Sequence, residues 1–191
     1  SLGELMLQAW VGGSRGQPLP IAGPQGVEDV VAGFNAAYRI DSTYRTAHHG
    51  ADVANPAGFG GVAEIIPAPV GPGKAAVIHD QDGVKITVIG VDHAPVEPAF
   101  GFRIDYKGRS VVISGDTTYS AELVAAAKDT DVLLHEALQP VMVAQMRDAA
   151  AAKGQPNIAK VMGDILDYHA SPEDAARAAT AANAKALVLY H

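Results

Sequence analysis

The chain contains no cysteine, and that absence removes thiolate nucleophiles, thiolate metal sites and disulfide frameworks together. It leaves the redox compartment open, because a cysteine-free chain suits cytoplasm and periplasm equally. Aromatic residues are scarce at 6%, and charged residues make up only 18%. Basic residues stand singly rather than in runs, and 14 Lys+Arg against 21 Asp+Glu leave a formal net charge of −7. A binder of nucleic-acid backbone usually carries a basic face, so this balance counts against nucleic acid without excluding it. The most apolar stretches, such as 84–91 and 186–190, fall far short of the roughly 20 residues that span a bilayer, so no membrane is expected as a partner. The first residues, Ser1-Leu2-Gly3-Glu4-Leu5, show neither the basic nor the apolar part of a signal peptide. Localisation therefore stays open: cytoplasm, or periplasm if a leader precedes Ser1.

What is present fits one domain over 1–191. The 191 residues are 48% hydrophobic, with 20 Gly and 12 Pro. A chain of this size buries roughly 70% of its unfolded surface, so no staple is needed merely to fold. Apolar spacing predicts a helix over 2–11, a short strand over 18–22, and a helical stretch over 27–47 in which Gly33 and Asp41-Ser42-Thr43 suggest a kink or two helices. Residues 50–61 read as loop. The period then changes to two, giving strands over 62–66, 75–79, 84–91, 100–106 and 110–114, with Asp82-Gly83 and Lys107-Gly108 as hairpin turns. The last third alternates helix and strand: helices over 119–128, 141–152, 158–167 and 172–183, strands over 131–135 and 186–190. Ser171 as cap, Pro172 at the first helical position and Glu173-Asp174 in the first turn mark one helix start clearly. Strands followed by alternating helices and strands argue for an α/β layered fold with a mixed sheet.

Chemistry gathers where strands end. His93 follows the strand over 84–91, Asp116 follows Val111-Val112-Ile113-Ser114-Gly115, and His191 follows Leu187-Val188-Leu189-Tyr190. Side chains leaving adjacent strand ends can converge, and two imidazoles with one carboxylate suit Zn²⁺ or a similar divalent ion. Glu136, after Val132-Leu133-Leu134-His135, and His169, before the capped helix, form a candidate pair in which a carboxylate orients an imidazole. His48, His49 and His79 have weaker claims, and Gly58-Phe59-Gly60-Gly61 does not open a helix as a phosphate loop would. No Gly-x-Ser-x-Gly elbow and no dinucleotide glycine turn is present.

The order of motifs resembles the metallo-β-lactamase fold, and within it the ribonuclease Z-like branch. It runs His93, Phe100-Gly101-Phe102-Arg103-Ile104, Ser114-Gly115-Asp116-Thr117, His135-Glu136-Ala137, His169-Ala170-Ser171-Pro172 and Leu189-Tyr190-His191, with Gln17-Pro18-Leu19-Pro20-Ile21-Ala22-Gly23-Pro24 before them. The resemblance implies a four-layer αββα sandwich and two metal ions, usually Zn²⁺ but with Mn²⁺ or Fe open, that activate water against an ester-type bond. It implies His93, Asp116 and His191 as metal ligands, Asp116 bridging both ions. His169 would face the reacting group, and Glu136 would be the acid of the His-Glu-Ala motif, with Leu138 where the family has Thr.

The family's His-x-His-x-Asp-His motif does not occur in these 191 residues. The expectation is that the chain begins just after it and holds the C-terminal two thirds of the domain. The tRNA-processing branch would also carry a basic, flexible arm after Pro24, where this chain has the helical stretch over 27–47. Charge and missing arm favour hydrolysis of a small-molecule ester, lactone, sulfate or phosphodiester. The alternatives are a ribonuclease Z-type tRNA 3′-processing endonuclease, or a non-catalytic remnant lacking half of the metal site. A homodimer is left open.

Overall fold

In the computed structural model, which describes residues 1–71 and 73–191, the chain forms two compact units, Ser1–Pro67 and Ala68–His191. The first unit carries helix α1 (Leu2–Gly12), strand β1 (Leu19–Gly23), helix α2 (Val27–His49) and strand β2 (Gly61–Ile65). β1 and β2 pair in parallel, Leu19 opposite Gly61. Met6, Trp10, Val31, Ala54 and Ile66 are buried there. Trp10 packs edge-on against Phe59 and donates its indole N–H to Asn55 O at 2.7 Å. The Asn35 amide bonds both the N–H and the C=O of Gly61, which ties α2 to β2.

The second helical stretch does not divide into two helices: α2 is one helix of 23 residues. The reason it stays continuous is local. Ser42 and Thr43 turn their hydroxyls back onto Arg39 O and Ile40 O at 2.7 Å each, so their polar groups are satisfied inside the helix. Asp41 and Arg45 add an i,i+4 pair at 2.6 Å.

The second unit is a six-stranded mixed sheet in the order β3 (Ala75–Gln81), β4 (Val84–Val91), β5 (Ala99–Tyr106), β6 (Arg109–Ile113), β7 (Val132–Glu136) and β8 (Leu187–Tyr190). Both predicted hairpin turns are present. Asp82-Gly83 and Lys107-Gly108 have positive φ at both positions, as the tight turn between twisted antiparallel strands requires. β3 to β6 pair antiparallel, whereas β6, β7 and β8 pair parallel. Helix α3 (Ala121–Ala126) makes the first crossover; α4 (Pro140–Ala152), α5 (Pro156–Asp164) and α6 (Pro172–Ala181) make the second. Ile89, Val112, Leu123, Ala127, Leu133, Ala179 and Ala182 form the core between sheet and helices. α6 starts as predicted, with a complete capping box between Ser171 and Asp174. Among the described residues no helix is long and apolar enough to cross a membrane.

Strand direction places the site. β4 runs antiparallel to β5, and β5 to β6, so β4 points the same way as β6, β7 and β8. Four strands therefore end at one edge of the sheet, where open α/β sheets assemble their sites.

Candidate metal centre

That shared edge carries His93 after β4, Asp116 after β6, Glu136 as the last residue of β7 and His191 after β8. His169 joins them from the loop leading into the capped start of α6. Glu136 is fully buried. Its Oε1 accepts three hydrogen bonds, from His169 Nδ1 at 3.0 Å, Thr117 N at 3.1 Å and Ala170 N at 3.2 Å. Its Oε2 has no hydrogen-bond partner and lies 3.7 Å from His191 Nδ1. A carboxylate can only accept, so the proton on His169 sits on Nδ1 and the ring presents Nε2 away from Glu136.

The three candidate donors of Glu136, His169 and His191 lie within 4.8 Å of one another, the one such group of three among the described residues. The His169 and His191 rings stand 4.8 Å apart. A buried carboxylate oxygen without a partner, facing an imidazole, is the kind of group a cation satisfies, and one carboxylate with two imidazoles is a donor set suited to Zn²⁺.

The remaining predicted residues adjoin this group. His93 has its ring 5.2 Å from that of His169, and its Nδ1 donates to Tyr168 O at 2.9 Å. A main-chain carbonyl holding one imidazole nitrogen leaves the other free in a fixed direction. Asp116 is exposed at the same edge, where its charge and that of Glu136 reach the Tyr190 phenol. Burial first, and those two carboxylates next, hold the Tyr190 hydroxyl above its ordinary pKa. The structure thus brings His191 together with Glu136 and His169, sets His93 beside His169, and leaves Asp116 outside the 4.8 Å group.

Several residues to which the sequence assigned no role serve this edge. Thr117 and Ala170 supply main-chain donors to Glu136. Asp92 O accepts from Thr117 Oγ1 at 3.1 Å and Thr118 N at 2.9 Å, which ties the end of β4 to the loop after β6. Ser114 and Tyr190, inside two of the quoted motifs, bring their hydroxyls to 3.3 Å of each other. Buried His135 points to the face opposite Glu136, with Nδ1 on Glu136 O at 2.7 Å and Nε2 unpartnered. His48, His49 and His79 are exposed and belong to no such group.

Residues 2–191 match the beta-lactamase superfamily domain, and the chain belongs to that family. It is similar to the ribonuclease Z of Mycobacterium avium (strain 104), with 38% identity covering 100% of this chain and 61% of that protein. It is likewise similar to a putative ribonuclease Z of Mycobacterium tuberculosis (strain CDC 1551 / Oshkosh), with 35% identity covering 100% of this chain and 76% of that one. The chain thus spans about three fifths of the length of several curated relatives it matches. Human tRNase Z, short form, aligns with a TM-score of 0.57 at 22% identity over 92% of this chain and 60% of that chain. The metallo-beta-lactamase fold protein YhfI from Bacillus subtilis aligns at 0.53 and 20% over 100% and 58%. These solved structures speak for the fold, which is the metallo-β-lactamase α/β fold with a mixed sheet. The relatives at 35–38% identity are ribonucleases by name, so the preference for a small-molecule substrate, drawn from net charge and a missing arm, finds no support among them.

Proposed function

We propose that this chain is the metal-binding sheet portion of a ribonuclease Z-type hydrolase that cuts RNA phosphodiester bonds, at the 3′ end of tRNA precursors. The observation that carries the reading is Glu136: buried, with one oxygen fixed by three donors and the other aimed unpartnered at His191. His93, Asp116 and His191 are the residues the family resemblance assigns to metal, and Glu136, His169 and His191 are those whose donors stand together. His191 belongs to both sets, so it is the ligand on which the centre turns. A divalent ion bound there would supply a Lewis acid that withdraws charge from the phosphodiester and lowers the pKa of water.

The remaining chemistry belongs to this chain's side chains. Glu136 fixes the His169 tautomer, so Nε2 is the atom that meets the reacting phosphodiester. A proton on Nε2 passes to the departing ribose oxygen, and the Glu136 carboxylate stabilises the imidazolium before that transfer. His93, held by Tyr168 O, borders His169 and closes one side of the site.

The net charge of −7 is a whole-chain sum, and three acidic residues, Asp92, Asp116 and Glu136, stand at the strand ends of the reacting edge. Two of those three are assigned work at the centre. Similarity to ribonucleases along the whole chain supports RNA over a small ester. Cleavage of a precursor tRNA by the zinc-loaded protein tests the proposal. His169→Ala lowers kcat about 10²–10⁴-fold with little change in KM. Equal kcat in wild type and variant overturns the assignment of His169.

A further inference from the structure

The Ser114 hydroxyl is fully buried at the end of β6. It donates to Gly115 O at 2.6 Å, accepts from Glu136 N at 2.9 Å and meets the Tyr190 hydroxyl at 3.3 Å. A serine hydroxyl has one proton and two lone pairs. The proton goes to Gly115 O and one lone pair to the Glu136 amide, so the Tyr190 O–H must be the donor in the third contact. All of the hydroxyl's capacity is then used. Each contact falls on, or one residue before, a predicted site residue: Gly115 precedes Asp116, Glu136 is itself one, and Tyr190 precedes His191.

We propose that Ser114, held by Tyr190, is a positioning residue that locks three parallel strand ends so that Asp116, Glu136 and His191 address one centre. The strand ladders alone do not do this. Paired residues of β6 and β7 stop at Ile113 with Leu134, and those of β7 and β8 at Glu136 with Tyr190. One main-chain bond follows each, Ser114 N to Leu134 O and Ala137 N to Tyr190 O, and among the described residues none joins β6 to β8. Beyond Ile113 the chain leaves the sheet through Gly115, at φ +64°, where an added Cβ would stand 2.2 Å from Phe100 O. Ser114 joins that departing turn to β7 and, one strand further, to β8 through a single atom.

The inference rests on the metal-centre reading above, so its test needs one readout with metal and one without. The matched control is Thr130→Val: Thr130 is equally buried, and its hydroxyl bonds Ser110 O and Val132 O where β6 begins and β7 starts, away from the site edge. Zinc affinity is measured by chelator competition on the full protein, and amide hydrogen exchange on the metal-free protein. Ser114→Ala and Tyr190→Phe weaken zinc binding about 10–100-fold, Ser114→Thr recovers most of it, and Thr130→Val leaves it unchanged at a similar loss of thermal stability. In the metal-free protein Tyr190→Phe speeds exchange of the Glu136 amide, although Tyr190 does not touch that amide. The proposal is overturned if Ser114→Ala and Tyr190→Phe alter affinity and exchange no more than Thr130→Val does. If the wild type binds no zinc, the metal reading fails, and the positioning role stands or falls on the exchange result alone.

Discussion

At the scale of residues the account depends on Glu136 more than on any other side chain. A carboxylate buried beside two imidazoles is stable only because Thr117 N, Ala170 N and His169 Nδ1 converge on one of its oxygens. Glu136→Gln preserves shape and those acceptor contacts but removes the charge and puts an amide group toward His191. Zinc affinity is expected to fall about 10–100-fold by chelator competition, with thermal stability nearly retained. Glu136→Ala differs, because it strands two buried main-chain donors, each costing about 1–3 kcal/mol. Urea unfolding separates the two variants, and equal stability for both would mean those donors find other partners. The sequence already marked Glu136 and His169 as a pair by the general logic of carboxylate-oriented imidazoles. It gave the hydroxyls of Ser114 and Tyr190 no role, because a hydroxyl at the end of an apolar strand has no partner in view until the other strands are placed beside it.

Elements show where local rules suffice and where they do not. The hairpins at Asp82-Gly83 and Lys107-Gly108 and the start of α6 were legible because each is decided by residues a few positions apart. The unbroken α2 was not, since its hydroxyls could bond either along the helix or outside it, and only the formed helix shows which. Strand order was likewise hidden, yet it alone brings the ends of β4, β6, β7 and β8 to one edge. Ser171 caps the helix that follows His169, so Ser171→Ala should cost about 1 kcal/mol in urea unfolding. Gly115 is a sharper case. Its φ of +64° and the 2.2 Å approach of a built Cβ to Phe100 O leave no room for a side chain. Gly115→Ala is predicted to destabilise the protein by about 2 kcal/mol or more and to weaken zinc binding with it. Unaltered unfolding would show that the turn adapts.

For the molecule as a whole, acidity is a second lever. Asp131 at the start of β7 is bound by Lys185, by Ser110 N and by Arg109, and these hold its carboxyl well below the usual carboxylate range, Lys185 most strongly. A lowered folded-state pKa stabilises the protein above the unfolded value of 3.8 and is lost as pH falls through the folded value. Stability should therefore decline below about pH 4, and Asp131→Asn should flatten that decline while lowering stability at neutral pH. An unchanged acid limb in the variant would assign acid sensitivity elsewhere. The chain's acidic balance led the sequence reading toward a small-molecule substrate, whereas the relatives that match along the whole chain are ribonucleases by name. The central claim is that the edge carrying His93, Asp116, Glu136 and His191 holds metal for RNA hydrolysis, with His169 beside it as the proton donor. The most direct measurement is 3′-end cleavage of a precursor tRNA by the full protein after metal removal and zinc titration. The account predicts cleavage that vanishes on chelation, returns with zinc, and fails to return in His191→Ala. Cleavage that survives chelation, or that zinc restores equally in His191→Ala, would contradict it.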